Sequence, residues 1–208
     1  MEKKIFLSIE TSLNRIYLVI INDCQLFFLE KVISKSIEVD LNDLLEQLLN
    51  KAKISFNQLD GILVSLGPGS FTGTRVGLSA AKAISISLDI EIYGYSNFYS
   101  IIQQADCKGV LFPGMDIDII IQATKSDFYY QKYSVDTCEF GKMKIIGVEQ
   151  IKKPKSKNIK QIGISDVFIN DKNFLQIWPK AEASLILKNN HRSDIFFKDP
   201  YLLPLYVK

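Results

Sequence analysis

Long apolar runs, histidine, paired cysteines and charge of one sign are all scarce in this chain of 208 residues. Each scarcity removes a class of function. No apolar run is long enough to span a bilayer. Met1-Glu2-Lys3-Lys4 leads into only a short apolar stretch before Glu10, without a signal peptide's long apolar region or small-residue cleavage site. A soluble cytoplasmic protein with no membrane partner is therefore expected. The three cysteines, Cys24, Cys107 and Cys138, are odd in number, widely separated and form no C-x-x-C pair, which argues against a disulfide scaffold or a zinc site. The single histidine, His191, cannot build a histidine-based metal cluster, and no local serine–histidine or cysteine–histidine pair suggests nucleophilic catalysis. Basic residues number 25 against 23 acidic, so the net charge of +2 sets up no strong field for nucleic acid or an anionic membrane. What is present is ample core: 47% of residues are hydrophobic and 23% charged, as in ordinary globular proteins.

The most informative stretch is residues 66–77, L-G-P-G-S-F-T-G-T-R-V-G, between an apolar run at 62–66 and a helix-like run at 78–88. A glycine-rich turn that opens a helix either presents bare N–H groups to an anion or makes a tight packed corner. A Walker A loop needs a Gly-Lys-Ser/Thr end, which is absent here. Gly67, Gly69 and Gly73 have the wrong spacing for a dinucleotide fingerprint, and Pro68 breaks the lipase-type elbow. Spacing therefore favours the packed corner. Ser70 and Thr72 remain able to bind phosphate or to cap the following helix, and Arg75 to grip an anion, an acidic partner or neighbouring carbonyls.

Residues 5–9, 16–21 and 25–32 read as successive strands of an antiparallel meander. Asp40 is expected to cap a helix whose leucines, Leu41, Leu44, Leu45, Leu48 and Leu49, recur at helical spacing. Ser55 to Gln58 has capping-box spacing. A strand at 62–66, a helix at 76–88, a strand at 91–93 and a helix at 97–105 capped by Ser96 complete one α/β unit. Further strands are expected at 117–123, 128–134, 144–148 and 162–164, with a helix from Pro179 to Lys188. The five lysines within 152–160 lack interleaved aromatics and read as an exposed loop. Asp116 and Asp118 share a strand face, compatible with magnesium or with a polar edge, and the edge is favoured.

Residues 67–77, G-P-G-S-F-T-G-T-R-V-G, resemble the signature of the TsaB (YeaZ) family of bacterial tRNA threonylcarbamoyladenosine biosynthesis proteins. Other segments agree in the same order. Leu7-Ser8-Ile9-Glu10-Thr11-Ser12 is similar to the family's opening strand and turn, with Glu10 where aspartate is usual. Residues 56–62 resemble its L-x-D-L-D-x-I lead, and Pro204-Leu205-Tyr206-Val207-Lys208 its P-x-Y-L-R ending. Departures include Lys35-Ser36 for the family's His-Ser, and Gln122 and Thr124 where it carries Asp and Arg.

The resemblance implies an α/β fold of the actin and sugar-kinase type (ASKHA) with two related lobes. They are expected at residues 1–105 and 106–208, with the tail packed back on the first. It implies a non-catalytic scaffold and activator of a complex that transfers a threonylcarbamoyl group from its adenylate to an adenosine beside the tRNA anticodon. The partners implied are TsaD as a heterodimer and, through the complex, the ATPase TsaE. Transfer RNA is met only indirectly, homodimers are an additional pairing, and no cofactor or metal is expected. The signature residues are Gly67, Pro68, Gly69, Ser70, Phe71, Thr72, Gly73, Arg75 and Gly77. A partner-facing helix pair is expected to present Leu44, Leu48, Ala80, Ala81 and Ile84. The alternative is a nucleotide-dependent phosphotransferase or ATPase of the same fold.

Overall fold

The computed structural model describes residues 4–22, 25–34, 36–151, 159–180, 197–198 and 201–206. Cys24, His191 and residues 152–158 of the lysine-rich stretch lie outside these, as does the helix expected after Pro179 beyond Lys180. The chain divides into a first unit, residues 1–97 and 180–205, and a second, residues 98–179 and 206–208. The expected boundary after residue 105 thus moves back to Asn97. Part of the tail belongs to the first unit, where Leu202 is buried in the core.

In the first unit, β1 (Ile5–Glu10), β2 (Arg15–Asn22) and β3 (Gln25–Val32) form the antiparallel meander. After α1 (Ile37–Ala52), β4 (Gly61–Ser65) lies parallel to β1; after α2 (Phe71–Leu88), β5 (Glu91–Tyr95) lies parallel to β4. A parallel pair needs a crossover, which α2 supplies between β4 and β5. The tail contributes β12 (Phe197–Lys198), antiparallel to β5, and the sheet order is β12-β5-β4-β1-β2-β3. Strand alternation sends Leu7, Ile9, Ile16, Leu18, Ile62 and Val64 to the face packed by α1 and α2. Ser8 and Glu10 turn to the opposite face, and both are fully buried.

Two helix starts differ from expectation. Asp40 is not the cap of α1. Ser36 caps it, its hydroxyl accepting from the Val39 N–H at 3.3 Å, so the helix begins before the leucine pattern does. Asp40 lies inside the helix and fully buried, where it accepts from the Ser34 N–H at 2.7 Å and pairs with Lys31 Nζ at 2.5 Å. α2 begins at Phe71 instead of residue 76, so the second half of the glycine motif is helical. The capping box at Ser55 is present: Gln58 Oε1 accepts from the Ser55 N–H at 2.9 Å and closes one turn of 3-10 helix.

The second unit opens on α3 (Asn97–Cys107), of which Asn97 itself is counted with the first. Then come β6 (Asp116–Gln122), β7 (Asp127–Ser134), β8 (Glu139–Phe140), β9 (Lys144–Gly147), β10 (Ile159–Ile164) and β11 (Phe174–Gln176). Their order is β11-β10-β6-β7-β8, with β9 also on β7. β6 pairs antiparallel with β7 and parallel with β10, which is parallel to β11. This repeats the first unit's plan, in which β1 pairs antiparallel with β2 and parallel with β4. The two lobes are thus related, as the resemblance implies. Since β6 is interior, Asp116 and Asp118 do not form a sheet edge. Each has a local partner: Lys132 Nζ at 3.4 Å from Asp116, and the Tyr130 hydroxyl donating to Asp118 at 2.7 Å. No helix among the described residues is long and apolar enough to cross a membrane.

Candidate functional site: the glycine-rich corner and the α1/α2 face

The turn after β4 is gripped by its neighbours. Leu66 N–H donates to the Tyr95 carbonyl at 2.9 Å, and the Leu66 carbonyl accepts from the Leu205 N–H of the tail at 2.8 Å. Gly67 takes φ +89°, a backbone conformation that L side chains rarely adopt, and its bond to Pro68 is cis. Ser70 N–H donates to the Ser12 carbonyl at 2.6 Å. Ser70 then caps α2, its hydroxyl accepting from the Gly73 N–H at 3.2 Å. Thr11 Oγ1 donates to the Gly73 carbonyl at 2.7 Å.

Gly69, Gly73 and Gly77 stand four apart, so from the turn into α2 they line one side. A Cβ at Gly69 would strike the Ser12 carbonyl, one at Gly73 the Thr11 carbonyl, and one at Gly77 the Thr11 hydroxyl. These glycines let the helix sit directly on the turn between β1 and β2. Of the two uses open to such a loop, the geometry is that of the packed corner.

Asn97 closes the corner from the other side. Its Nδ2 donates to Ser12 Oγ at 2.7 Å and to the Pro68 carbonyl at 2.9 Å. Its Oδ1 accepts from Ser65 Oγ at 2.8 Å, and its backbone N–H donates to the Gly67 carbonyl at 2.7 Å. Ser12 passes the chain on: its N–H and its hydroxyl both donate to Glu10 Oε1 at 2.6 Å. Glu10 Oε2 lies 3.9 Å from Arg15 Nε and has no hydrogen bond among the described residues. Arg15 Nη1 pairs with the part-exposed Glu30. Burial pushes the Glu10 carboxyl above the usual carboxylate range, against the pull of the Ser12 hydrogen bonds and Arg15. Burial, with the nearby Glu10, likewise drives the Tyr95 hydroxyl well above its ordinary range. Among the described residues no three His, Cys, Asp or Glu side chains are grouped to hold a metal.

Beyond the corner, α2 is open. Phe71 is 53% exposed, and the Arg75 guanidinium stacks 3.7 Å from its ring centre. Arg75, Val76, Ser79 and Ala80 of α2 and Glu38, Leu41 and Asn42 of α1 line a shallow groove of about 310 Å³.

The signature residues are therefore brought together, but in two roles. Gly67, Pro68 and Gly69 form the turn, Ser70 caps, and Phe71, Thr72, Gly73, Arg75 and Gly77 lie on α2. The expected partner-facing set needs correction. Leu44, Leu48 and Ala81 are buried in the unit's own core, because both helices must cover the sheet beneath them. Ala80 lines the groove, and Ile84 is half-buried against the core. Asn97 and Ser65 were not anticipated. The four-residue glycine spacing was the readable signal for close packing, but no pattern singles out one asparagine at the start of a helix.

The chain matches the family model described as "TsaD: tRNA N6-adenosine threonylcarbamoyltransferase" over residues 31–165. It is 29% identical over 130 residues to the tRNA threonylcarbamoyladenosine biosynthesis protein TsaB of Buchnera aphidicola subsp. Acyrthosiphon pisum, a match covering 62% of this chain and 58% of that protein. It is 27% identical over 117 residues to TsaB of Haemophilus influenzae, covering 54% of this chain and 48% of that one. The chain thus spans about half the length of these curated relatives. Among solved structures, YeaZ from Pseudomonas aeruginosa superposes with a TM-score of 0.78 at 18% identity, covering 98% of this chain and all of that one, a likeness of fold.

Proposed function

This chain belongs to the tRNA N6-adenosine threonylcarbamoyltransferase family, in its TsaB (YeaZ) branch, and on that premise we propose that it is a non-catalytic scaffold and activator in the threonylcarbamoyl modification of tRNA. It pairs with a TsaD-type catalytic subunit, works with TsaE within that complex and meets tRNA only through it. One observation carries this reading. The glycine-rich corner is held by Thr11, Ser12 and Asn97, while the adjoining α1/α2 face keeps an open groove with Phe71 and Arg75 exposed beside it. Exposed aromatic and arginine side chains are the types that anchor protein interfaces. The same face suits a second copy of the chain when the catalytic subunit is scarce.

The alternative, a nucleotide-dependent phosphotransferase, needs free donors in the glycine turn and a charged carboxylate in the first turn. The Ser70 N–H is already bonded to Ser12, and burial disfavours a charge on Glu10. Titration with ATP and magnesium is expected to show no saturable binding to the isolated chain.

Co-purification with the TsaD-type protein of the same organism, followed by size-exclusion chromatography with light scattering, tests the pairing. A stoichiometric complex is expected. Two separate species, with this chain folded, would overturn the scaffold reading.

A further inference from the structure

Asn97 is fully buried, and its bonds link segments that are distant in sequence. Its neighbours fix the orientation of its amide. The Pro68 carbonyl can only accept, so the group facing it must be the amide NH2. Ser12 Oγ gives its one proton to Glu10, so it too accepts from that NH2. Ser65 Oγ accepts from the Gly67 N–H at 3.1 Å and gives its own proton to Asn97 Oδ1. Every donor in this set has an acceptor. The residue also stands where the first unit ends and α3 begins.

We propose that Asn97 is a positioning residue: it holds the glycine turn on the β1/β2 turn and so presents the start of α2, with Phe71 and Arg75, in the geometry a partner docks against. The docking half of this inference rests on the function proposed above. The holding half does not. A buried donor set with no spare member is sensitive to the loss of one proton. Asn97→Asp keeps the shape but places a carboxylate oxygen against the Pro68 carbonyl, and Ser12 can bond to it only by releasing Glu10. Protonating that aspartate restores one of the two lost donors.

The experiment is amide exchange on the full chain, wild type and Asn97→Asp, read at Gly67 and Ser70, beside titration with the TsaD-type protein. At neutral pH the variant is expected to lose about tenfold in protection at both amides, the effect of roughly one hydrogen bond to a charged group. Protection in β2 and β3 should stay unchanged. Partner affinity should weaken by a similar factor. As the pH is lowered toward 5, protection and affinity should recover relative to wild type, a pH profile that mere loss of packing would not give. Arg75→Ala should weaken the partner without changing exchange.

Unchanged exchange at Gly67 and Ser70 in Asn97→Asp would overturn the proposal. Raised exchange with unaltered affinity would overturn its docking half. If Asn97→Asp does not fold, Ser65→Ala, which removes the donor to Oδ1, is read at Ser70 alone, because it also deletes the acceptor of the Gly67 N–H; unchanged exchange at Ser70 would then overturn the proposal. If wild type binds no partner, the functional reading fails, the docking half fails with it, and the exchange data alone decide whether Asn97 holds the turn.

Discussion

The first unit joins its fourth and fifth strands, β4 and β5, through the helix α2; the second joins the equivalent strands, β10 and β11, through residues 165–173, which form no helix. In the first case glycines on one side of the connection let it lie on the β1/β2 turn. In the second, Ser165 Oγ accepts from the Val167 and Phe168 N–H groups at 3.1 Å and turns the chain sharply. Phe168 then packs between Phe128 and Phe174, with ring centres 5.4 and 5.8 Å away. One strand plan thus accepts two connections. The helical one creates an outward face with a groove, and the short one plugs its sheet with an aromatic ring.

The largest effect expected from this contrast is in the second unit. There Ile120 and Phe128 are fully buried and form one cluster with the nearly buried Phe174, against which Tyr130, Ile146 and Phe168 pack. Phe128→Ala should cost about 3–5 kcal/mol in urea unfolding, with amide protection in β6 and β7 falling before that in β1 and β2. Equal loss of protection in both sheets would erase the distinction between the units. Next come the glycines. Gly73→Ala should destabilise by about 1–3 kcal/mol, because its Cβ overlaps the Thr11 carbonyl, and Gly69→Val should disrupt folding or partner binding. Gly141→Ala in the second unit meets only ordinary contact with Lys132 and should shift stability by less than about 1 kcal/mol. If Gly73→Ala behaves like Gly141→Ala, the close approach is not required.

Ion pairs sharpen the comparison at a smaller scale. Asp40 is fully buried against Ser34 and Lys31, whereas Asp116 and Lys132 are each about half exposed. Asp40→Ala should cost about 1.5–3 kcal/mol, and Asp116→Ala about 0–1 kcal/mol in the same thermal unfolding assay. Comparable losses would mean that burial does not set their worth. The finest contrast is in pH. Because burial raises the Glu10 pKa above that of the unfolded chain, the native state holds the proton more tightly. The stability this provides is complete below the unfolded pKa and is lost as pH rises through the folded one. Glu10→Gln should remove that slope, gaining on wild type from pH 4 to pH 7. Parallel stability curves for the two proteins would show that Glu10 does not titrate differently on folding.

Much of this contrast was legible in residue order. The short apolar runs of β1, β2 and β4, buried on both faces, and the leucine spacing of α1 reflect local burial, which such patterns reveal. Helix starts were less legible. Asp40 looks like a cap until its burial against Lys31 is seen, and Ser36 is an ordinary residue until the chain turns there. The motif at 67–77 reads as one loop because glycine weakens a helix locally. Packing on Thr11 and Ser12, residues far off in sequence, makes its second half helical. Short strands such as β8 and β11 carry too few residues to show a period. Asn97 depends wholly on partners brought together by the fold.

The central claim is that the α1/α2 face of the first unit, set by the glycine corner, receives a TsaD-type subunit. Amide exchange of the chain alone and mixed with that subunit tests it directly. The account predicts new protection around Glu38 to Asn42 and Phe71 to Ala80, with β6 to β11 unaffected. Protection confined to the second unit, or none at concentrations where the complex forms, would contradict it.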